Sequence, residues 1–208
     1  LNDKELEGVI GHELAHLAKI SAIVNTISGL GYVFTTNNFK SKMLLILVKR
    51  FFRISFLHPN KRIIFQNPKN LADFLSYGLV DKKSTVLIKG SGVNTETFKP
   101  SSEPHSVPVV MVASRMLLDK GICEFVEAAR EIKSEGGKAR FVLVGDVDLD
   151  NPMTISTSQI QRWVNEGVIE WWGKQEDMPE IFSRAHIVSL PSYAEGLPKV
   201  LIEASACG

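Results

Sequence analysis

Glu195 and Glu203 bracket the stretch Glu195-Gly196-Leu197-Pro198-Lys199-Val200-Leu201-Ile202-Glu203. Two carboxylates are thus separated by seven residues, with Gly and Pro in the turn between them. An apolar run, Ala185-His186-Ile187-Val188-Ser189-Leu190, leads into the stretch, and Val200 to Ala206 has the composition of a helix. A turn opening a helix presents unpaired backbone N–H groups that welcome a phosphate. One acid then stands in the loop and the other about two turns inside the helix. Donors for a diphosphate and acceptors for sugar hydroxyls are what a nucleotide sugar requires.

A second constellation is Ser114-Arg115-Met116-Leu117-Leu118-Asp119-Lys120-Gly121, again between a strand and a helix. Arg115 offers a planar fork and Lys120 a point charge, both suited to an anion above the strand end. Gly145-Asp146 closes a third strand in the same half of the chain. Gly11-His12-Glu13-Leu14-Ala15-His16 raises a competing chemistry, because H-E-x-x-H places two zinc ligands and a general base on one helix face. A zinc site needs a third ligand, and the downstream candidates Glu96 and Glu103 fall in loop or linker. His12 and His16 therefore stand as the alternative, that of a zinc metallopeptidase.

The elements that position these groups follow from the hydrophobic pattern. Short apolar runs at 22–27, 62–66, 85–88, 109–113, 141–144, 169–172 and 186–190 read as strands. Helical patterns fill the intervals at 69–77, 121–134, 155–166 and 178–185. Unbroken apolar strands alternating with helices imply an α/β chain with parallel sheets covered on both faces. Such sheets bind ligands at the carboxyl ends of their strands, where the residues above lie. The Pro/Ser-rich stretch 98–105 reads as a linker, dividing the chain into 1–100 and 101–208.

The 208 residues carry a net charge of only +1, but unevenly. Residues 1–100 hold 14 Lys/Arg against 7 Asp/Glu, and residues 101–208 hold 10 against 16. Much of the excess lies in 40–62, where seven cations surround the apolar run Met43 to Val48 and no acid occurs. A basic amphipathic segment can lie among anionic lipid headgroups, and the expectation is a membrane-facing surface over 40–57 or a core helix with solvated cations. No nucleic-acid-binding motif accompanies the charge, so nucleic acid is not expected as a partner. No apolar stretch nears the ~18 residues needed to span a bilayer. The two cysteines, Cys123 and Cys207, form no metal-ligand pattern and are expected to be buried free thiols.

In order and spacing, the motifs resemble family-4 retaining glycosyltransferases along roughly residues 10–208. In the second half these are Ser114-Arg115, Asp119-Lys120-Gly121, 141–146, 168–173, Asp177-Met178-Pro179 and 190–198; the Glu195/Glu203 pair resembles that family's E-x7-E element. In the first half they are 24–34, Phe65-Gln66-Asn67-Pro68, 90–94 and Phe98-Lys99-Pro100. The branch is similar to the bacterial one that builds capsule, O-antigen or lipid-linked glycans. The resemblance implies a GT-B fold of two Rossmann-like domains, acceptor-binding over 1–100 and donor-binding over 101–208, both incomplete in this chain. It also implies that Arg115 and Lys120 hold the donor diphosphate, with Glu195 toward the sugar and Glu203 toward the ribose. Ser114, Gly145, Asp146, Gly196 and Leu197 would complete the donor site, and Ser28 and Gly29 would lie on the acceptor side. The implied reaction takes a sugar, expected as UDP-linked HexNAc, to a lipid-linked or saccharide acceptor. It uses no cofactor and no metal, and runs at the cytoplasmic face of the bacterial plasma membrane. Ser28 departs from a His common at that position, and Asn94 from an Asp. Residues 1–10 resemble the helix preceding the motif of membrane-bound zinc peptidases and are candidates for a foreign segment.

Overall fold

The computed structural model describes residues 20–27, 39–90, 92–193 and 195–208, with side chains from residue 45 onward in the helix that begins at Phe39. The chain divides into two compact units, Leu1–Ser91 and Gly92–Gly208.

In the first unit β1 (Ile23–Ile27), β2 (Lys61–Phe65) and β3 (Thr85–Leu87) form a parallel sheet in that order. Helix α1 (Phe39–Ser55) joins β1 to β2, and α2 (Pro68–Ser76) joins β2 to β3. Asn67 caps α2 by accepting from the Lys69 and Asn70 amides at 2.7 and 3.4 Å, and Pro68 supplies the preset φ of a first helical turn. The core is aromatic. Phe74 is fully buried, with ring centroids of Phe52 and Phe65 each 5.2 Å away in edge-on contact. Val48 and Ser55 occupy the buried stripe of α1, and Phe56, in the turn that follows, is buried with them. Ile46, Leu47, Phe51 and Ile54 lie on its exposed side beside Arg50 and Arg53. One face of this helix therefore joins the core, and the other leaves apolar side chains and cations exposed.

In the second unit four parallel strands run in the order β6 (Glu170–Trp171), β5 (Arg140–Val144), β4 (Val109–Ala113), β7 (Ile187–Val188). The crossovers are α3 (Ile122–Ser134), α4 (Thr157–Asn165) and α5 (Met178–Phe182), and α6 (Lys199–Cys207) follows β7. One face of the sheet packs Val112, Phe141 and Leu143 against Ile122, Val126, Ile160 and Trp163 of α3 and α4. The other packs Met111, Val142 and Val144 against Ile181, Phe182 and Cys207 of α5 and α6. Two covered faces explain why β4 and β5 are apolar without alternation. Each large side chain buried there stabilises the fold by about 1.5–3 kcal/mol relative to exposure.

The contacts divide the chain at 91/92, whereas composition suggested 100. The reason is that the Pro/Ser stretch is fastened to the second unit. Phe98 packs on Phe182 with centroids 6.4 Å apart, and the Ser101 amide donates to the Cys207 carbonyl at 2.9 Å. His186 completes the seam: its Nδ1 accepts from the Val109 amide at 3.0 Å, so Nε2 carries the proton and donates to the Pro104 carbonyl at 2.9 Å. Both cysteines are free. Cys207 is buried and Cys123 half-buried, and burial pushes both thiols up.

Candidate functional site

Because β4, β5 and β7 run parallel, their carboxyl ends share one edge of the sheet, and the loops leaving them carry the chemistry-bearing residues. After β4 the backbone enters a short 3-10 turn, Leu118–Lys120, ending at Gly121 with φ +71°. A Cβ at Gly121 would stand 2.2 Å from the Pro191 carbonyl oxygen, so only glycine lets the loop after β7 pass this close. Gly145, with φ +135°, meets the same demand at the end of β5, where a Cβ would stand 1.9 Å from the Ser114 carbonyl oxygen. The Met116 amide donates to the Asp146 carbonyl at 3.0 Å, tying these two loops together. The Trp171 indole adds a bond to the Gly145 carbonyl at 2.9 Å.

The loop after β7 is fastened to the 3-10 turn in turn. The Tyr193 amide and the Ser192 hydroxyl donate to the Asp119 carbonyl at 3.0 and 3.2 Å. The Tyr193 hydroxyl donates to Glu124 on α3 at 2.5 Å. That bond holds the Glu124 carboxyl below the usual carboxylate range and pushes the Tyr193 phenol up. Asp119 Oδ1 is buried without a hydrogen-bond partner among the described residues.

Within this frame Lys120 Nζ lies 2.7 Å from Glu195 Oε1, with side-chain exposures of 17% and 26%. A cation from the β4 loop and an acid from the β7 loop, 75 residues apart in sequence, therefore meet in a half-buried site. Arg115 is not in that pair. Its guanidinium lies 2.6 Å from Asp148 Oδ2 and is 61% exposed. Glu203, with 15% side-chain exposure, pairs with Lys199 one turn earlier at 3.2 Å. Pro198 caps α6 without a side-chain bond, so no side chain of the cap consumes the first-turn amides after Gly196 and Leu197. Asp146 accepts from the Val147 amide at 2.8 Å, and Ser114 donates to the Arg115 carbonyl at 3.0 Å. Sequence reading missed Asp148, Glu124 and Tyr193 as neighbours of the site. Asp148 had a usable signal, an acid two residues beyond the Gly145-Asp146 turn.

The acceptor-side candidates Ser28 and Gly29 and the histidines His12 and His16 lie outside the described residues. Among the described residues, no group of three or more His, Cys, Asp or Glu could hold a metal ion. No helix among them is long and apolar enough to cross a membrane.

Residues 107–208 match the family described as glycosyl transferases group 1. The chain carries a group 1 glycosyltransferase domain. It is 32% identical over 207 residues to an N,N'-diacetylbacillosaminyl-diphospho-undecaprenol alpha-1,3-N-acetylgalactosaminyltransferase of Campylobacter jejuni, covering 93% of this chain and 52% of that protein. It is 24% identical to a UDP-Gal:alpha-D-GlcNAc-diphosphoundecaprenol alpha-1,3-galactosyltransferase of Escherichia coli, covering 97% and 53%. Among solved structures, HepE of Anabaena in complex with UDP and glucose superposes with a TM-score of 0.72 at 19% identity, covering 98% of this chain and 55% of that one. WaaG, a glycosyltransferase of lipopolysaccharide biosynthesis, superposes with a TM-score of 0.70 at 15% identity, covering 93% and 60%. The fold is that of GT-B glycosyltransferases. The chain spans about half the length of the curated relatives it matches.

Proposed function

We propose that this chain is part of a retaining, family-4-type glycosyltransferase that moves a HexNAc from UDP to a lipid-linked acceptor in surface-polysaccharide synthesis. The observation that carries this reading is the half-buried Lys120–Glu195 pair, formed between two strand-end loops of a group 1 domain. Bacterial relatives named for undecaprenol-linked substrates support the acceptor class. Residues 101–208 hold the donor, and residues 1–100 face the acceptor through Ser28 and Gly29. Arg115 and Lys120 hold the diphosphate, helped by the amides near Gly196 and Leu197 and bordered by Ser114, Gly145 and Asp146. Glu195 faces the sugar, and Glu203 accepts from the ribose hydroxyls.

Transfer breaks the bond between the anomeric carbon and the diphosphate oxygen, leaving negative charge on the departing nucleotide. Fixed cations that meet this charge stabilise the transition state more than the ground state. Lys120 is suited to that task because its restricted exposure lowers solvent screening. Placement at the inner face of the plasma membrane is supported by α1. There Ile46, Leu47, Phe51 and Ile54 lie exposed with Arg50 and Arg53, a surface fit for anionic headgroups.

We expect slow turnover from this chain by itself, because it spans about half of its relatives' length. The direct test is therefore donor binding: UDP-HexNAc titrated into the chain and into its Lys120→Ala and Glu203→Ala variants. Both variants should bind more weakly, and unchanged affinity in both would overturn the site.

A further inference from the structure

The site holds two cations that the proposed function assigns to the donor diphosphate, and each is already paired with a carboxylate. Lys120 Nζ lies 2.7 Å from Glu195, and the Arg115 guanidinium 2.6 Å from Asp148. The pairs are built independently. Lys120 and Glu195 meet between the loops that follow β4 and β7, whereas Asp148 comes from the loop after β5. Neither pair is a local helical contact: the partners are 75 and 33 residues apart in sequence. Folding has therefore brought an acid to each cation. A diphosphate would present the same chemistry at those cations, anionic oxygens accepting from N–H donors.

We propose that Glu195 and Asp148 are internal stand-ins for the donor diphosphate, which displaces them when it binds. The inference rests on the assignment of Arg115 and Lys120 to the diphosphate, and gives Asp148 a role of its own. Without such partners, the loop after β4 would carry two uncompensated cations at the strand ends, where nothing offsets their mutual repulsion. With them each cation has a carboxylate oxygen within 2.7 Å. The consequence is competition: part of each cation's attraction for phosphate is spent on breaking the resident pair. Removing a resident acid also removes its repulsion toward the incoming anion. Glu195 then has two successive partners, Lys120 before the donor arrives and the sugar afterwards. The paired state should thus weaken retention of the product nucleotide, because the carboxylate returns to Lys120 as the diphosphate leaves.

The test is calorimetric titration of UDP, and separately of inorganic pyrophosphate, into the whole chain. Glu195→Gln keeps the side-chain shape and removes the charge, and it should tighten both ligands by about ten-fold. Asp148→Asn should tighten them by about two- to three-fold, since the Arg115 pair is more exposed and better screened. In a Lys120→Ala background the Glu195→Gln gain should fall below about two-fold, because the competition runs through Lys120. Weaker or unchanged binding in Glu195→Gln overturns the inference and makes Glu195 a support for Lys120 instead. An equal gain with and without Lys120 also overturns it, reducing the effect to plain repulsion. Lys120→Ala binding both ligands as tightly as the unaltered chain has a different meaning: it sinks the site assignment itself.

Discussion

The two units use the same parallel-strand grammar to different ends. In the second, β4 and β5 are buried on both faces, and charge is gathered at one edge of the sheet into close pairs. In the first, among the described residues, Val24 of β1 is 66% exposed, and α1 turns Ile46, Leu47, Phe51 and Ile54 outward. The contrast extends to charge, since the first hundred residues carry twice as many cations as acids and the remainder more acids than cations. A small, charged, phosphate-bearing ligand asks for fixed groups on a rigid scaffold. An extended lipid surface asks only for an apolar face with cations beside it. On the proposed function, the difference between the units answers those two recognition problems.

The sharpest way to break this comparison is to damage one unit and read the other. Phe74 is fully buried among Phe52, Phe56 and Phe65, so Phe74→Ala should destabilise the first unit by about 3–5 kcal/mol. UDP binding, which the proposed function gives to the second unit, should survive when the first melts. Thermal unfolding followed with and without UDP checks this; a common loss of both would show that the two roles are not separable.

A smaller effect is expected at Gly121. Gly121→Ala adds a methyl carbon 2.2 Å from the Pro191 carbonyl oxygen, at a φ that alanine rarely adopts. The loop bearing Glu195 must then move away from the 3-10 turn. We expect at least about a ten-fold loss of UDP affinity, which corresponds to about 1.4 kcal/mol. Retention of affinity would show that the close approach of the two loops is not needed for the donor.

The proposed membrane face can be tested by charge reversal. Sedimentation with anionic vesicles should capture the chain at low salt and release it as salt rises, because the electrostatic part is screened. Each juxtamembrane cation is worth about 1 kcal/mol, so Arg50→Glu with Arg53→Glu should lower binding by more than ten-fold. Salt-insensitive capture, or none, would leave α1 without this role.

Much of this architecture was legible in the sequence because it rests on local pattern. The unbroken runs Val109–Ala113 and Phe141–Val144 announced doubly covered strands, and Gly145-Asp146 marked the end of the second. What stayed hidden depends on partners distant in sequence. Nothing near Phe98 says that it packs on Phe182, so the polar stretch after it read as a boundary. Asp148 looked like one acid in an acidic loop until folding placed it against Arg115. The bond from Tyr193 to Glu124 spans 69 residues and has no local signature at all. Pattern reveals which elements form, whereas side-chain pairing across loops is decided by their packing.

The smallest expected effect concerns Glu170, which binds Arg140 through both oxygens at 2.7 Å and accepts from the Trp172 indole at 3.1 Å. The Arg140 guanidinium holds the Glu170 carboxyl below its ordinary range. A carboxyl depressed in the folded state stabilises above its unfolded value of about 4.3 and loses that contribution as pH falls through the lower folded value. Melting temperature should therefore fall on acidification below about pH 4, and fall less steeply in Glu170→Gln. Identical acid limbs would remove this pair from the account.

The central claim is that the cation gathered from the β4 loop receives the donor's diphosphate. It is tested most directly by titrating UDP into the chain and into Lys120→Ala at matched ionic strength. The account predicts measurable binding to the unaltered chain and a loss of about ten-fold or more when the ammonium is removed. Equal affinity for the two proteins would contradict it.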